Sequence, residues 1–233
     1  MSDPVVAAVV PAAGRGERLG VGSAKALHLL GGEPMLAHSV RTLAAGRVDL
    51  VVVAVPPGRA EEVQAVLAST HDGAELVVVD GGDTRSDSVR RALAVLPASV
   101  EVVLVHDAAR PLVPGALVDA VVAAVRGGAD AVVPGLAMVD TVKQVGADGS
   151  VVATVDRSAL RAVQTPQGFR RAVLESAYGG PDAGEATDDA GHVERQGGRV
   201  VVVPGAEEAF KVTRPLDLLL AEAVLAGREA RRG

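Results

Sequence analysis

The sequence contains no cysteine and no tryptophan. Disulfides, thiol nucleophiles and cysteine-ligated metal sites are therefore excluded. Aromatic rings are scarce as well: Phe169, Tyr178 and Phe210 are the only ones among 233 residues. The core has to be built from Val, Leu and Ala, and the aromatic platforms that single-stranded nucleic acids stack on are missing. There is no surplus of positive charge. The net charge of −6 removes the basic footprint that nucleic-acid binding needs. No apolar run approaches the roughly 20 residues of a membrane span, and no basic stretch, apolar run and cleavage site open the chain. A soluble cytoplasmic protein with neither nucleic acid nor membrane as a partner is expected. The histidines, at 28, 38, 71, 106 and 192, lack H-x-x-x-H and H-E-x-x-H spacing, which argues against a zinc centre.

What the chain does have is a series of short, Val-rich apolar runs, at 5–10, 48–55, 75–79, 101–105, 130–133 and 199–203. They lack polar alternation, as strands covered on both faces do. Helical patterns lie between them. Pro34 suits the first turn of a helix carrying Met35, Leu36, Val40 and Leu43. Residues 60–68, 86–96 and 115–125 repeat an apolar face, and a last helix shows Leu216, Leu219, Leu220, Ala223 and Val224. Strands alternating with helices predict an α/β fold with right-handed crossovers and a mostly parallel sheet. No repeat or separating linker divides 1–233, so one domain is expected.

Residues 139–160 depart from this rhythm. Val139 to Val145 alternates apolar and polar side chains, Asp148-Gly149 supplies a tight turn, and Val151 to Val155 returns. This predicts an inserted β-hairpin. A lone hairpin is marginal in water, so it should pack on the main body or serve as an arm between two subunits. Gln164 to Phe169 reads as a turn-rich link to a helix over 170–178, residues 179–186 as a loop, and Thr187-Asp188-Asp189 as the cap of a short helix.

The first strand runs into Pro11-Ala12-Ala13-Gly14-Arg15-Gly16-Glu17-Arg18-Leu19-Gly20, with Lys25 beyond it. A strand ending in a cationic glycine loop is a place to hold phosphates, on backbone N–H groups and countercharge. It is no P-loop, because Gly-Lys-Ser and Gly-Lys-Thr are absent. It is no dinucleotide fingerprint either, because the third glycine comes one residue late. By itself the loop also fits a glycine-rich connection with solvated charges.

In open parallel sheets, ligands bind beyond the carboxyl ends of the strands. Asp80-Gly81-Gly82-Asp83-Thr84-Arg85-Ser86-Asp87-Ser88 follows one strand. Its paired glycines, Asp83 and Ser88 could read a base edge, whereas Thr84, Ser86 and Asp87 look like a helix cap. His106-Asp107-Ala108-Ala109-Arg110-Pro111 follows another strand. An Asp there, near a phosphate loop, suits Mg²⁺, which takes one or two carboxylates plus phosphate oxygens. The Arg110 fork suits a second phosphate. His106 reads as structural. Arg157 and Lys211 add cations, and Thr141 and Thr165 add hydroxyls. No nucleophile–base pair stands out, so the chemistry supported is direct substitution at phosphorus, carried by positioning and charge neutralisation.

These motifs, in order, resemble the 2-C-methyl-D-erythritol 4-phosphate cytidylyltransferase family. The resemblance covers about residues 5 to 225, and rests on the motifs above together with Asp140-Thr141-Val142-Lys143, Thr154-Val155-Asp156-Arg157, Gln164-Thr165-Pro166-Gln167, Thr187-Asp188-Asp189-Ala190 and Lys211-Val212-Thr213-Arg214-Pro215. It implies a Rossmann-like, glycosyltransferase-A-like nucleotidyltransferase domain and a homodimer that exchanges hairpin arms. It implies joining of CTP to methylerythritol phosphate with release of pyrophosphate.

Carried over residue by residue, Arg18, Lys25 and Lys211 would be catalytic. Pro11, Ala12, Ala13, Gly14 and Gly16 would hold the nucleotide, with Gly82, Asp83 and Ser88 at cytosine. Asp107 would bind Mg²⁺ or another divalent cation. Arg110, Thr141, Arg157 and Thr165 would take the polyol phosphate. Arg15 falls back to a surface charge or loop-closing contact. Many members read Pro-Lys-Gln around the lysine, where this chain has Ala24-Lys25-Ala26, so no Gln side chain can act there. The chain is expected to lack the fused cyclodiphosphate synthase domain of bifunctional relatives. A ribitol-5-phosphate cytidylyltransferase shares most of these motifs and is the alternative. Another nucleotidyltransferase or a non-catalytic nucleotide sensor are more distant ones.

Overall fold

Val is β-branched and packs well on a pleated surface. In the computed structural model, which describes residues 5–14, 25–70, 73–179 and 186–231 and only the backbone of Lys25, each Val-rich run forms a strand. In chain order the elements are β1 (Val5–Pro11), β2 (Leu29–Leu30), β3 (Glu33–Pro34), α1 (Met35–Ala44), β4 (Leu50–Val55), α2 (Ala60–Leu67), β5 (Glu75–Asp80), α3 (Arg85–Ala94), β6 (Val100–Val105), α4 (Gly115–Arg126), β7 (Ala131–Ala137), β8 (Val142–Val145), β9 (Val151–Val155), β10 (Arg161–Val163), β11 (Gln167–Arg170), α5 (Arg171–Gly179), α6 (Asp189–Arg195), β12 (Val200–Pro204) and α7 (Pro215–Ala230).

The central sheet has eight strands, running β5–β4–β1–β6–β11–β7 with β10 and β12 also paired to β7. β1 is parallel to β4 and β6, β4 to β5, and β7 to β12. Both faces are covered. Val6, Ala8 and Val10 of β1 point into one core with α1, α2 and α4, while Ala7 and Val9 point into another with α3, α5 and α6. Fully burying one such Val stabilises by roughly 1.5–3 kcal/mol, which is how a chain nearly devoid of rings holds together. Among the described residues, no helix is long and apolar enough to cross a membrane.

Two expectations need correction. The stretch 164–169 is more than a link: Gln167–Arg170 is a strand, antiparallel to both β6 and β7 and inserted between them. It is four residues long, carries no valine and follows a cis Thr165–Pro166 bond, so it gives no Val-rich signal. Gly168 is required there, because a Cβ would lie 2.5 Å from Val121 Cγ1 of α4. The second correction concerns α7. Leu216, Leu219 and Leu220 are exposed, at 73%, 68% and 52%. The helix instead packs Ala221, Leu218, Val224 and Leu225 on a small third core of Leu30, Met35, Leu112 and Val212.

The hairpin forms as the alternation predicts. β8 and β9 pair antiparallel in a two-stranded sheet of their own, with Gly149 at φ +82° in the turn. It leaves Val145, Val151 and Val152 exposed.

Candidate active site

The strands deliver their polar residues to one rim. Ala12 follows β1, is buried, and donates its N–H to the Ala54 carbonyl at 2.7 Å. Ala13 is half-buried and Gly14 exposed. Arg15, Gly16, Arg18 and Gly20 lie outside the described residues, as does the side chain of Lys25. The Lys25 backbone opens a single helical turn, Lys25–Leu27, whose Ala26 is buried in the first core.

The loop after β5 abuts the loop after β1. A Cβ at Gly81 would meet the Ala13 methyl at 2.7 Å and Ser88 Oγ at 2.9 Å, and one at Gly82 would meet Asp87 Cβ at 2.2 Å. Only glycine allows both close approaches. Thr84 caps α3, its hydroxyl oxygen accepting from the Asp87 N–H. Ser88 is buried; its hydroxyl accepts from the Gly82 N–H at 3.1 Å and donates to the Thr84 carbonyl at 3.0 Å. It braces the glycine turn. Asp83 stands exposed at the loop's edge.

Asp107 is the centre of the rim. It follows β6, and β11, being antiparallel, brings its amino end with Thr165 alongside. The Thr165 hydroxyl accepts from the Asp107 N–H at 3.0 Å and donates to His106 Nδ1 at 3.2 Å. The other ring nitrogen of His106 donates to the Arg110 carbonyl at 3.3 Å, which fixes the tautomer. Burial pushes the His106 pKa down to about 4, so the ring is neutral.

The Asp107 carboxylate has a cation at each oxygen. Oδ1 accepts from Arg85 Nε and Nη2 at 3.3 and 3.2 Å, and Oδ2 accepts from Lys211 Nζ at 2.7 Å. Burial by itself would raise this carboxyl, but Arg85 and Lys211 outweigh it and hold the group well below the usual carboxylate range. Lys211 reaches it because the Val212 N–H is tied to the Ala109 carbonyl at 2.8 Å.

Three expected side chains make no hydrogen bond to the Asp107 carboxylate among the described residues, although the Arg110 backbone N–H donates to the Asp107 carbonyl at 2.9 Å. Arg110 donates from Nη1 to the Ala209 carbonyl at 2.7 Å and from Nη2 to the Val163 carbonyl at 3.2 Å. Its Nε is buried with no partner among the described residues. Arg157 donates to the Val139 carbonyl at the base of the hairpin, and Thr141 is exposed near it. Two residues given no place at the site from the sequence do take part. Arg85 joins Asp107 to the buried Asp189, which opens α6. The Gly-Gly-x-x-Arg spacing points to Arg85; Asp189, 104 residues away, stands in the Thr187-Asp188-Asp189-Ala190 motif but reads from the sequence only as part of a helix cap.

Among the described residues no group of three or more acidic or imidazole side chains could enclose a metal ion. A lone carboxylate is still a set that Mg²⁺ accepts, since it keeps water and phosphate oxygens as its other ligands.

The sequence profile of the family described as 2-C-methyl-D-erythritol 4-phosphate cytidylyltransferase matches residues 6–227. A Streptomyces coelicolor protein of that description is 58% identical over 236 residues, covering 97% of this chain and 87% of its own. A solved structure of the Thermus thermophilus protein of that description is similar at TM-score 0.76 and 37% identity, over 94% of this chain and 98% of that one. The structure of 4-diphosphocytidyl-2C-methyl-D-erythritol synthase from Anaerococcus prevotii is similar at TM-score 0.83 and 27% identity, over 95% and 98%.

Proposed function

The chain belongs to the 2-C-methyl-D-erythritol 4-phosphate cytidylyltransferase family, and we propose on that premise that it transfers CMP from CTP to 2-C-methyl-D-erythritol 4-phosphate. The products are 4-diphosphocytidyl-2-C-methyl-D-erythritol and pyrophosphate. It is a nucleotidyltransferase of isoprenoid biosynthesis. The match disfavours ribitol 5-phosphate as acceptor.

The observation that carries the site reading is Asp107 held between Arg85 and Lys211 at the end of β6, beside two abutting glycine loops. An oxygen of the acceptor phosphate attacks the α-phosphorus of CTP in line, and the bond to the leaving pyrophosphate breaks. The attacking oxygen is already anionic, so no general base is required. That agrees with the lack of a nucleophile–base pair. Charge builds on the α-phosphate oxygens, and Arg18, Lys25 and Lys211 neutralise it.

Pro11 to Gly14 and Gly16 hold the triphosphate, and Gly82, Asp83 and the brace at Ser88 shape the cytosine pocket with Ala12 and Ala13. Asp107 would hold a divalent cation such as Mg²⁺, which supplies further neutralisation on the phosphate oxygens. Thr165, an acceptor-binding residue by the resemblance, has its hydroxyl committed to Asp107 and His106. It serves the acceptor site by fixing that rim. Arg110, with an unused Nε, takes the acceptor phosphate together with Thr141 and Arg157.

The hairpin supplies Thr141 and Arg157 to a second copy. Its exposed valines and separate sheet support an exchanged arm in a homodimer, with residues 1–233 forming one catalytic domain. A cytoplasmic location follows from dependence on the CTP pool.

The test is product identification by ³¹P NMR after incubating the protein with CTP, Mg²⁺ and the acceptor. A pair of coupled diphosphate doublets, together with free pyrophosphate, is the expected result. Unchanged CTP would contradict the reading.

A further inference from the structure

Arg85 lies in the first turn of α3, and its guanidinium is divided between two carboxylates. Nη1 and Nη2 grip Asp189 at 2.9 and 2.7 Å, while Nε and Nη2 touch only Oδ1 of Asp107, at 3.3 and 3.2 Å. Asp189 is fully buried and accepts one more hydrogen bond, from the Tyr178 hydroxyl at 2.6 Å. Its own neighbours are held as well: Gln167 donates to Asp188 at 2.8 Å and accepts from the Ala190 N–H at 3.0 Å.

The two cations on Asp107 are therefore unequal. If Arg85 left, Asp189 would become an uncompensated buried charge, which is strongly destabilising. Lys211 is 45% exposed, sits on a flexible stem and pairs with Asp107 alone among the described side chains. It can leave at little cost.

We propose that Arg85, locked in place by Asp189, is a positioning residue that permanently occupies Oδ1 of Asp107, leaving Oδ2 as the oxygen that exchanges Lys211 for a nucleotide-bound divalent cation. The inference rests on the site reading above and adds two residues to it. One arrival then does two things: it gives Asp107 its new partner and frees the Lys211 ammonium for the nucleotide. A guanidinium is needed because its planar fork serves two carboxylates at once, whereas an ammonium is a single point charge.

The experiment is calorimetric titration of the full-length protein with CTP, once with Mn²⁺ and once with EDTA, and no acceptor present. Arg85→Lys keeps the charge and loses the fork. The double variant Arg85→Gln with Asp189→Asn removes both charges together, so that neither is left buried alone. Asp107→Asn reports on the site itself.

Both Arg85 variants are expected to weaken Mn²⁺–CTP binding about tenfold, as loss of outer-sphere support for a metal ligand does, with CTP binding in EDTA unchanged. Wild-type Mn²⁺–CTP affinity in both, with Asp107→Asn impaired, would overturn the role of Arg85 and leave the site reading standing. A lowered melting temperature without a change in affinity would make Arg85 merely structural and overturn the inference in the same way. Wild-type affinity in Asp107→Asn would remove the site reading, and this inference with it.

Discussion

Lys211 Nζ lies 2.7 Å from Oδ2 of Asp107, across 104 residues of sequence. The pair closes the rim between the end of β6 and the segment after β12. A partly exposed pair of this kind contributes little to stability, on the order of 1 kcal/mol or less, so its value has to be sought in catalysis. Lys211→Ala should lower kcat by roughly 10²–10³, the usual effect of losing one charge-stabilising donor, with a nearly unchanged melting curve. Steady-state pyrophosphate release and thermal denaturation together check this; wild-type kcat would take Lys211 out of the mechanism.

Lys25 opens the short turn whose next residue, Ala26, is anchored in the core. The anchor fixes the backbone without needing the lysine side chain. Lys25→Ala should therefore fold normally and lose kcat by orders of magnitude, whereas Ala26→Asp should lose folding by burying an unpaired charge. Circular dichroism and turnover on the same samples separate the two effects.

The hairpin bears Val145, Val151 and Val152 exposed at 57%, 60% and 64%. If these valines meet a second copy, light scattering should give twice the chain mass. Val151→Asp with Val152→Asp should shift the protein toward monomer and depress turnover together, because Thr141 and Arg157 then serve no partner. A wild-type protein at the monomer mass would exclude the exchanged arm.

Asp217 caps α7. Its Oδ2 accepts from the N–H groups of Thr213 and Arg214 and from the Thr213 hydroxyl, each at 2.8 Å. These bonds, that from the Thr213 N–H foremost, lower its pKa in the folded state. A depressed folded pKa gives stability that is present above the unfolded value of about 3.9 and lost as pH falls through the folded one. Asp217→Ala should cost about 1 kcal/mol at pH 7, as lost caps do. In urea titrations the gap from wild type should narrow as pH falls below about 3.9; a gap of constant size would show that the carboxylate is not its source.

The elements legible in the sequence are those whose cause is local. Val runs become strands, Asp148-Gly149 becomes the hairpin turn, and Thr84 and Asp188 become helix caps. β11 is not legible because its place depends on neighbours: Gly168 and Phe169 make a strand only where α4 and the two flanking strands leave a slot. The buried face of α7 is ambiguous in the sequence because several residue sets on that helix are apolar, and the small third core selects among them. Asp107 is legible at the site from its position after a strand. Its tie to Asp189 through Arg85 is not, since that contact exists only after α3, α6 and β6 have converged.

The most direct measurement of the central claim is pyrophosphate release from CTP with 2-C-methyl-D-erythritol 4-phosphate and ribitol 5-phosphate compared side by side. The account predicts a kcat/KM for the methylerythritol phosphate that exceeds the other by orders of magnitude. Faster turnover of ribitol 5-phosphate, or no turnover of either, would contradict it.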